Sequence, residues 1–220
     1  MDDRALALRA SDAAALIRSE RLMVVLRRVS PQAALLALVG ELAEAGVRVM
    51  EVTFDAESAA EDMAACRRRL PTSGPERCIV GAGTIRTLAQ LDAACHADAD
   101  FGVAPILDLE IVAAALDRGL PFIPGAYTPT EIDLAWRNGA TFVKVFPASS
   151  LGPAHLRELR APLPEIETIP TGGIDAASAP GFLEAGAVAV GIGSAIVRAT
   201  RDERHAIVAA VRGANAAPSP

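Results

Sequence analysis

The chain contains one lysine, Lys144, and the remaining 20 of its 21 basic residues are arginines. A guanidinium serves wherever a fixed positive charge suffices, but it stays protonated and cannot condense with a carbonyl, whereas an amine can. A lysine retained in that background marks a position that needs an amine. Its neighbours Phe142, Val143, Val145 and Phe146 are apolar, so burial there penalises the charged form and favours the nucleophilic free amine. The chemistry this points to is a Schiff base with a keto group. A buried lysine paired with an acid or a phosphate is the alternative. Glu51 follows the run 47–50, in which Val47, Val49 and Met50 are apolar, and precedes Val52 and Thr53, which makes it a second ionisable group in an otherwise apolar strand. If it faces the same mouth as Lys144, it can act as general acid and base, moving protons through carbinolamine formation, imine formation and carbon–carbon cleavage. A structural ion pair with Lys144 or Arg27 is the competing role.

These two residues must be positioned by strands, and the chain repeats one unit throughout: a short run rich in Val, Ile or Phe, followed by an alanine- and leucine-rich stretch of helical spacing. The runs 24–27, 48–54, 78–84, 101–105, 121–127, 141–146, 167–171 and 187–191 read as eight buried parallel strands. Helices are expected at 31–45, 58–69, 88–96, 107–118, 129–138, 154–160 and 176–185. Ser30 before Pro31 and the Thr128-Pro129-Thr130-Glu131 stretch supply helix starts. Gly46, Gly119, Gly139 and Gly186 supply helix ends. Eight βα units in this order predict an α/β fold, a single-domain (β/α)8 TIM barrel spanning 22–197 within one domain of 1–220. The competitor, a doubly wound open sheet, rarely holds eight even units in so short a chain. An extra N-terminal helix at 8–20 is expected to cover the barrel floor, with a last helix near 201–212 and a disordered tail over 214–220.

In such a barrel, function sits at the C-terminal ends of the strands. That selects Arg27, Glu51, Thr53, Thr84, Pro105, Thr128, Lys144, the Thr171-Gly172-Gly173 turn and the Gly191-Ile192-Gly193-Ser194 turn. The two glycine turns suit a phosphate, because glycine lets backbone N–H groups approach its oxygens. They could also be no more than tight turns.

The net charge of −6 and the absence of a basic cluster beyond Arg67–Arg69 argue against a nucleic-acid or anionic-membrane partner. That arginine run reads as a solvated helix end. The acidic start Met1-Asp2-Asp3 resembles no signal peptide and no apolar run is of spanning length, so a cytoplasmic location is expected. Cys66, Cys78 and Cys95 lack zinc-like or redox spacing and read as free thiols. His96, His155 and His205 form no ligand pattern.

With these residues in hand, the chain resembles the 2-keto-3-deoxy-6-phosphogluconate (KDPG) / 4-hydroxy-2-oxoglutarate (KHG) aldolase family from about residue 22 to 197. The shared motifs are Val25-Leu26-Arg27, Glu51-Val52-Thr53, Gly81-Ala82-Gly83-Thr84, Pro124-Gly125 with Thr128-Pro129-Thr130-Glu131, Lys144 through Phe146-Pro147-Ala148, Pro170-Thr171-Gly172-Gly173, and Gly191 to Ser194. The resemblance implies a homotrimeric class I aldolase that needs no metal or other cofactor and takes a phosphorylated 2-keto-3-deoxy sugar acid. It implies an imine at Lys144, a proton shuttle at Glu51 and a carboxylate contact from Thr84 with an arginine, for which Arg27 is the candidate; Pro105 and Phe146 are further expected substrate contacts. Phosphate contacts are implied at Thr171, Gly172, Gly173, Gly193 and Ser194. The products would be pyruvate and glyceraldehyde 3-phosphate, or pyruvate and glyoxylate from 4-hydroxy-2-oxoglutarate. An aldolase for the phosphogalactonate isomer is an alternative, as is a phosphate-binding barrel isomerase or synthase in which Lys144 only contacts an anion. The chain departs from the family at Asp55, where some members carry arginine, at Ile106 after Pro105, and at Tyr127 before Thr128. Arg27 is the expected replacement for the missing arginine.

Overall fold

The structure, a computed structural model, describes residues 3–214; the segment 215–220, expected to be a disordered tail, lies outside them. Strands and helices alternate after a leading helix α1 (Asp3–Glu20): β1 (Leu22–Leu26), α2 (Gln32–Glu44), β2 (Val49–Thr53), α3 (Ala59–Arg69), β3 (Ile79–Gly83), α4 (Leu88–His96), β4 (Gly102–Val103) and α5 (Leu109–Asp117). There follow β5 (Phe122–Ile123), β6 (Gly125–Ala126), α6 (Pro129–Arg137), β7 (Val143–Val145), a 3-10 turn (Ala148–Ser150), α7 (Gly152–Arg160), β8 (Thr168–Pro170), α8 (Ala179–Glu184), β9 (Val190–Ile192), α9 (Ser194–Val197) and α10 (Arg201–Gly213).

Every strand pairing is parallel, in a six-stranded sheet ordered β5-β4-β3-β2-β1-β9 and a three-stranded sheet ordered β6-β7-β8. The expected fifth strand, 121–127, is thus two pieces in two sheets. Pro124 divides them, because it has no N–H to give to a ladder. The sheets meet at both edges. Thr171 bridges Gly191 on one side, and on the other Thr141 N–H donates to Phe122 O and Lys144 N–H to Pro124 O, both at 2.9 Å.

Alternation along the strands builds the interior. Met23, Val49, Ile79, Phe101, Val103, Ile123, Phe142, Ile169 and Ala189 form one apolar cluster with Ala13, Ala14 and Ile17 of α1. The outer faces of the strands pack on the helices in a second, larger cluster. The expected cap at Thr128 is present as a reciprocal pair with Glu131, so Thr128 starts α6 by local bonding. The expected Ser30 cap is not formed. The α2 N-cap is Pro31, extended at φ −68 and ψ 171, with no side-chain cap bond. Arg67 also departs from the solvated role expected of it, since it pairs with Asp98 at 3.1 Å and with Asp100, tying α3 to the start of β4.

Candidate active site

Side chains two apart on a strand share a face. Val49 and Phe142 belong to the cluster under α1, so Glu51 and Lys144 lie one level above them on the same interior face. Register sets their neighbours. Glu51 stands between Val25 and Gly81, and Lys144 between Gly125 and Ile169. Glu51 is 0% exposed and Lys144 is 3% exposed.

Neither carboxylate oxygen of Glu51 has a hydrogen-bond partner. Burial raises its pKa above the ordinary carboxylate range, and the nearby charges of Lys144 and Arg27 oppose that rise without cancelling it. Among the described residues no ion pair links Glu51 to either cation, so the structural salt bridge is not what occupies this site. The carboxylate fits because residue 83 is glycine. A Cβ at Gly83 would lie 1.8 Å from Oε1 of Glu51, far inside any contact distance. Gly83 was absent from the residues singled out as functional, since a glycine's partner on the next strand leaves no mark in the sequence.

A cavity of about 560 Å³ opens on Lys144, while Glu51 lies beneath the surface and does not line it. It brings together Arg27, Lys144, Phe146, Thr171, Gly172, Gly173, Gly193 and Ser194, all expected from the sequence, and adds Val25, Ile174, Asp175, Ala195, Val197 and Arg198. The Phe146 ring centroid lies 5.2 Å from Nζ of Lys144, close enough to stabilise the ammonium and to wall off one side of the amine. The loops after β7 and β8 are tied to each other, with Ala148 N–H donating to Thr171 O at 2.9 Å and Ser149 N–H to Gly172 O at 3.0 Å. Gly173 is held at φ +72 with Ser149 against it, where a Cβ would approach to 2.5 Å. Both facts require glycine there.

Thr84 and Pro105 do not line this cavity. Thr84 directly follows Gly83 and holds φ +60, a strained backbone for a β-branched residue and one that points to a functional demand. Pro105 follows β4, and its carbonyl carbon and oxygen would lie 2.4 Å from a Cβ at Gly125. Asp55, the departure from the family pattern, is engaged elsewhere: Thr53 Oγ1 donates to Oδ1 at 2.7 Å and Arg28 Nε donates to Oδ2 at 2.9 Å. Burial pushes the Asp55 carboxyl up, but the Thr53 bond and the Arg28 charge outweigh it and hold the group below its usual range. Arg27, in turn, remains facing the cavity. Among the described residues no grouping of three His, Cys, Asp or Glu side chains suits a metal, and no helix is long and apolar enough to cross a membrane.

Comparison with known proteins gives a consistent result. The model of the family described as KDPG and KHG aldolase matches residues 14–211. The chain is 36% identical over 160 residues, covering 72% of this chain and 70% of the relative, to a 2-dehydro-3-deoxy-phosphogluconate aldolase of Pseudomonas aeruginosa. It is 30% identical over 179 residues, 81% and 85% of the two chains, to a 2-dehydro-3-deoxy-6-phosphogalactonate aldolase of Escherichia coli. Among solved structures, a 2-keto-3-deoxy-6-phospho-gluconate aldolase from Zymomonas mobilis superposes with a TM-score of 0.78 at 28% identity, covering 92% of this chain and 97% of that one.

Proposed function

Since the chain belongs to the KDPG and KHG aldolase family and is therefore an aldehyde-lyase, we propose that it cleaves 2-dehydro-3-deoxy-6-phosphogluconate through an imine on Lys144. The observation that carries this reading is the buried amine of Lys144 and the unpartnered carboxylate of Glu51 on one interior face, beside a cavity edged by glycine turns. Lys144 attacks C2 of the 2-keto acid, and Glu51 gives a proton to the departing hydroxyl as the carbinolamine becomes an imine. The protonated imine then takes up the electrons of the C3–C4 bond while Glu51 accepts the C4 hydroxyl proton. Glyceraldehyde 3-phosphate leaves, the enamine is protonated at C3, and water releases pyruvate from Lys144. The raised pKa of Glu51 suits a group that must both give and take a proton near neutrality.

In the same reading Arg27 and the strained Thr84 backbone hold the substrate carboxylate, with Pro105 and Phe146 bounding the keto-acid end. Thr171, Gly172, Gly173, Gly193 and Ser194 receive the phosphate. The two sheets, bonded at both edges and filled by one apolar cluster over α1, constitute a closed (β/α)8 barrel of one domain in this account. The assembly is a homotrimer, supported by the exposed apolar side chains Leu88, Ile106, Leu109, Leu116 and Tyr127, and light scattering of the purified chain tests it. The galactonate isomer is a second candidate substrate, favoured by Arg27 facing the cavity and by the extent of the match to the E. coli phosphogalactonate aldolase. Values of kcat/KM for the gluconate and galactonate derivatives and for 4-hydroxy-2-oxoglutarate, measured side by side, separate these substrates. No pyruvate release from any of the three contradicts the proposal.

A further inference from the structure

Arg198 closes α9 immediately beyond the Gly193-Ser194 turn, and it lines both the catalytic cavity and a second, open groove running along the start of α10. Among the described residues its guanidinium makes no hydrogen bond and no ion pair. The arginines that follow it in the chain behave differently: Arg201 pairs with Glu44, Arg204 with Glu41 and Arg212 with Glu20.

Two carboxylates border the same groove, Asp175 and Glu203, but both are committed to their own turns. Asp175 accepts from the Ala177 and Ser178 N–H groups and from the Ser178 hydroxyl. Glu203 accepts from the N–H and hydroxyl of Thr200, capping α10. Each acid thus spends one carboxylate oxygen on its own turn, Oδ1 of Asp175 and Oε2 of Glu203, and among the described residues neither forms an ion pair with Arg198. A guanidinium is a rigid fork of donors suited to two oxygens of one anion, and here that fork borders the cavity next to the glycine turns.

The cavity carries three cations, Arg27, Lys144 and Arg198, against one carboxylate, Asp175. Lys144 is used by the imine and Arg27 by the carboxylate next to the keto group, which leaves Arg198 for a second anion at the other end of the substrate. We propose that Arg198 grips the substrate phosphate with its side chain and sets the preference for phosphorylated over unphosphorylated 2-keto acids. This inference rests on the aldolase reading above.

The test compares wild type, Arg198→Ala and Arg198→Lys on 2-dehydro-3-deoxy-6-phosphogluconate and on the same sugar acid without its phosphate. Loss of a charge-assisted bond should raise KM for the phosphorylated substrate in Arg198→Ala by roughly tenfold to a hundredfold. The change should leave kcat and all values for the unphosphorylated substrate near wild type. Arg198→Lys, with a point charge and no fork, should recover part of the loss. Calorimetric titration with inorganic phosphate should show the same weakening without any turnover. Equal losses on both substrates, or unchanged KM and phosphate affinity, overturn the assignment. Borohydride labelling of Lys144 with pyruvate, which carries no phosphate, keeps the two ideas apart. Failure of the wild type to label sinks the aldolase reading, whereas normal labelling with unchanged phosphate dependence sinks only the role of Arg198.

Discussion

Replacing Glu51 by glutamine should make the protein more stable at neutral pH and nearly inactive. The carboxyl is fully buried with neither oxygen hydrogen-bonded, and an unsatisfied buried polar group costs about 1–3 kcal/mol, more when charged. Lys144 and Arg27 offset part of that cost through their charge. A neutral amide of the same shape should therefore gain about 1–2 kcal/mol, which for a chain of this length corresponds to roughly 2–8 °C in Tm. The pH dependence has a fixed sign. Burial raises the folded-state pKa of Glu51 above its unfolded value, so the folded state holds the proton more tightly. Below the unfolded pKa the carboxyl is protonated in both states and the two proteins should melt together. As pH rises through the folded-state pKa the wild type loses stability that the glutamine variant keeps, and the gap then levels off. Activity should fall by about a hundredfold or more, the usual contribution of a positioned proton-transfer group. Thermal melts from pH 4 to pH 8 alongside a pyruvate-release assay give both readings. A variant less stable than wild type at pH 7, or a gap that persists in acid, means that Glu51 is paired after all. Retained turnover means that it shuttles no proton.

Gly83→Ala should lower kcat at least tenfold while leaving the chain folded, because its Cβ at 1.8 Å from Oε1 must displace the Glu51 carboxylate. In a Glu51→Ala background the same substitution should cost little more, and a double-mutant cycle measures that coupling. Activity should survive exhaustive treatment with a chelator such as EDTA, since every step in the proposed chemistry is carried by Lys144 and Glu51; loss restored by an added divalent ion would contradict this.

The residues on which the proposed chemistry rests were readable because they violate the pattern around them. Lys144 and Glu51 each place an ionisable group in an apolar run, and period-two alternation then puts both on the face occupied by Val49 and Phe142. Helix periodicity and glycine stops located most elements, and left-handed Gly46, Gly119, Gly139 and Gly186 end helices where expected. What stayed hidden depends on contacts between segments distant in the chain. Gly83 matters because of a side chain on the neighbouring strand. Asp55 stood out in the sequence only as a departure from the family pattern, and that Arg28 and Thr53 hold it emerges from contacts across the fold. Arg198 resembles any surface arginine until the fold places it, without an ion pair among the described residues, on the cavity beside the glycine turns. Pro124 was read inside one strand, 121–127, and that it divides this stretch between two sheets emerges only from the pairing.

The central claim is that the chain's single lysine is its nucleophile. Incubation with pyruvate and borohydride, followed by peptide mass mapping, should place one reduced three-carbon adduct on Lys144 and abolish turnover, and Lys144→Arg should be both unlabelled and inactive. An adduct elsewhere, no adduct at all, or an active Lys144→Arg protein would contradict the account.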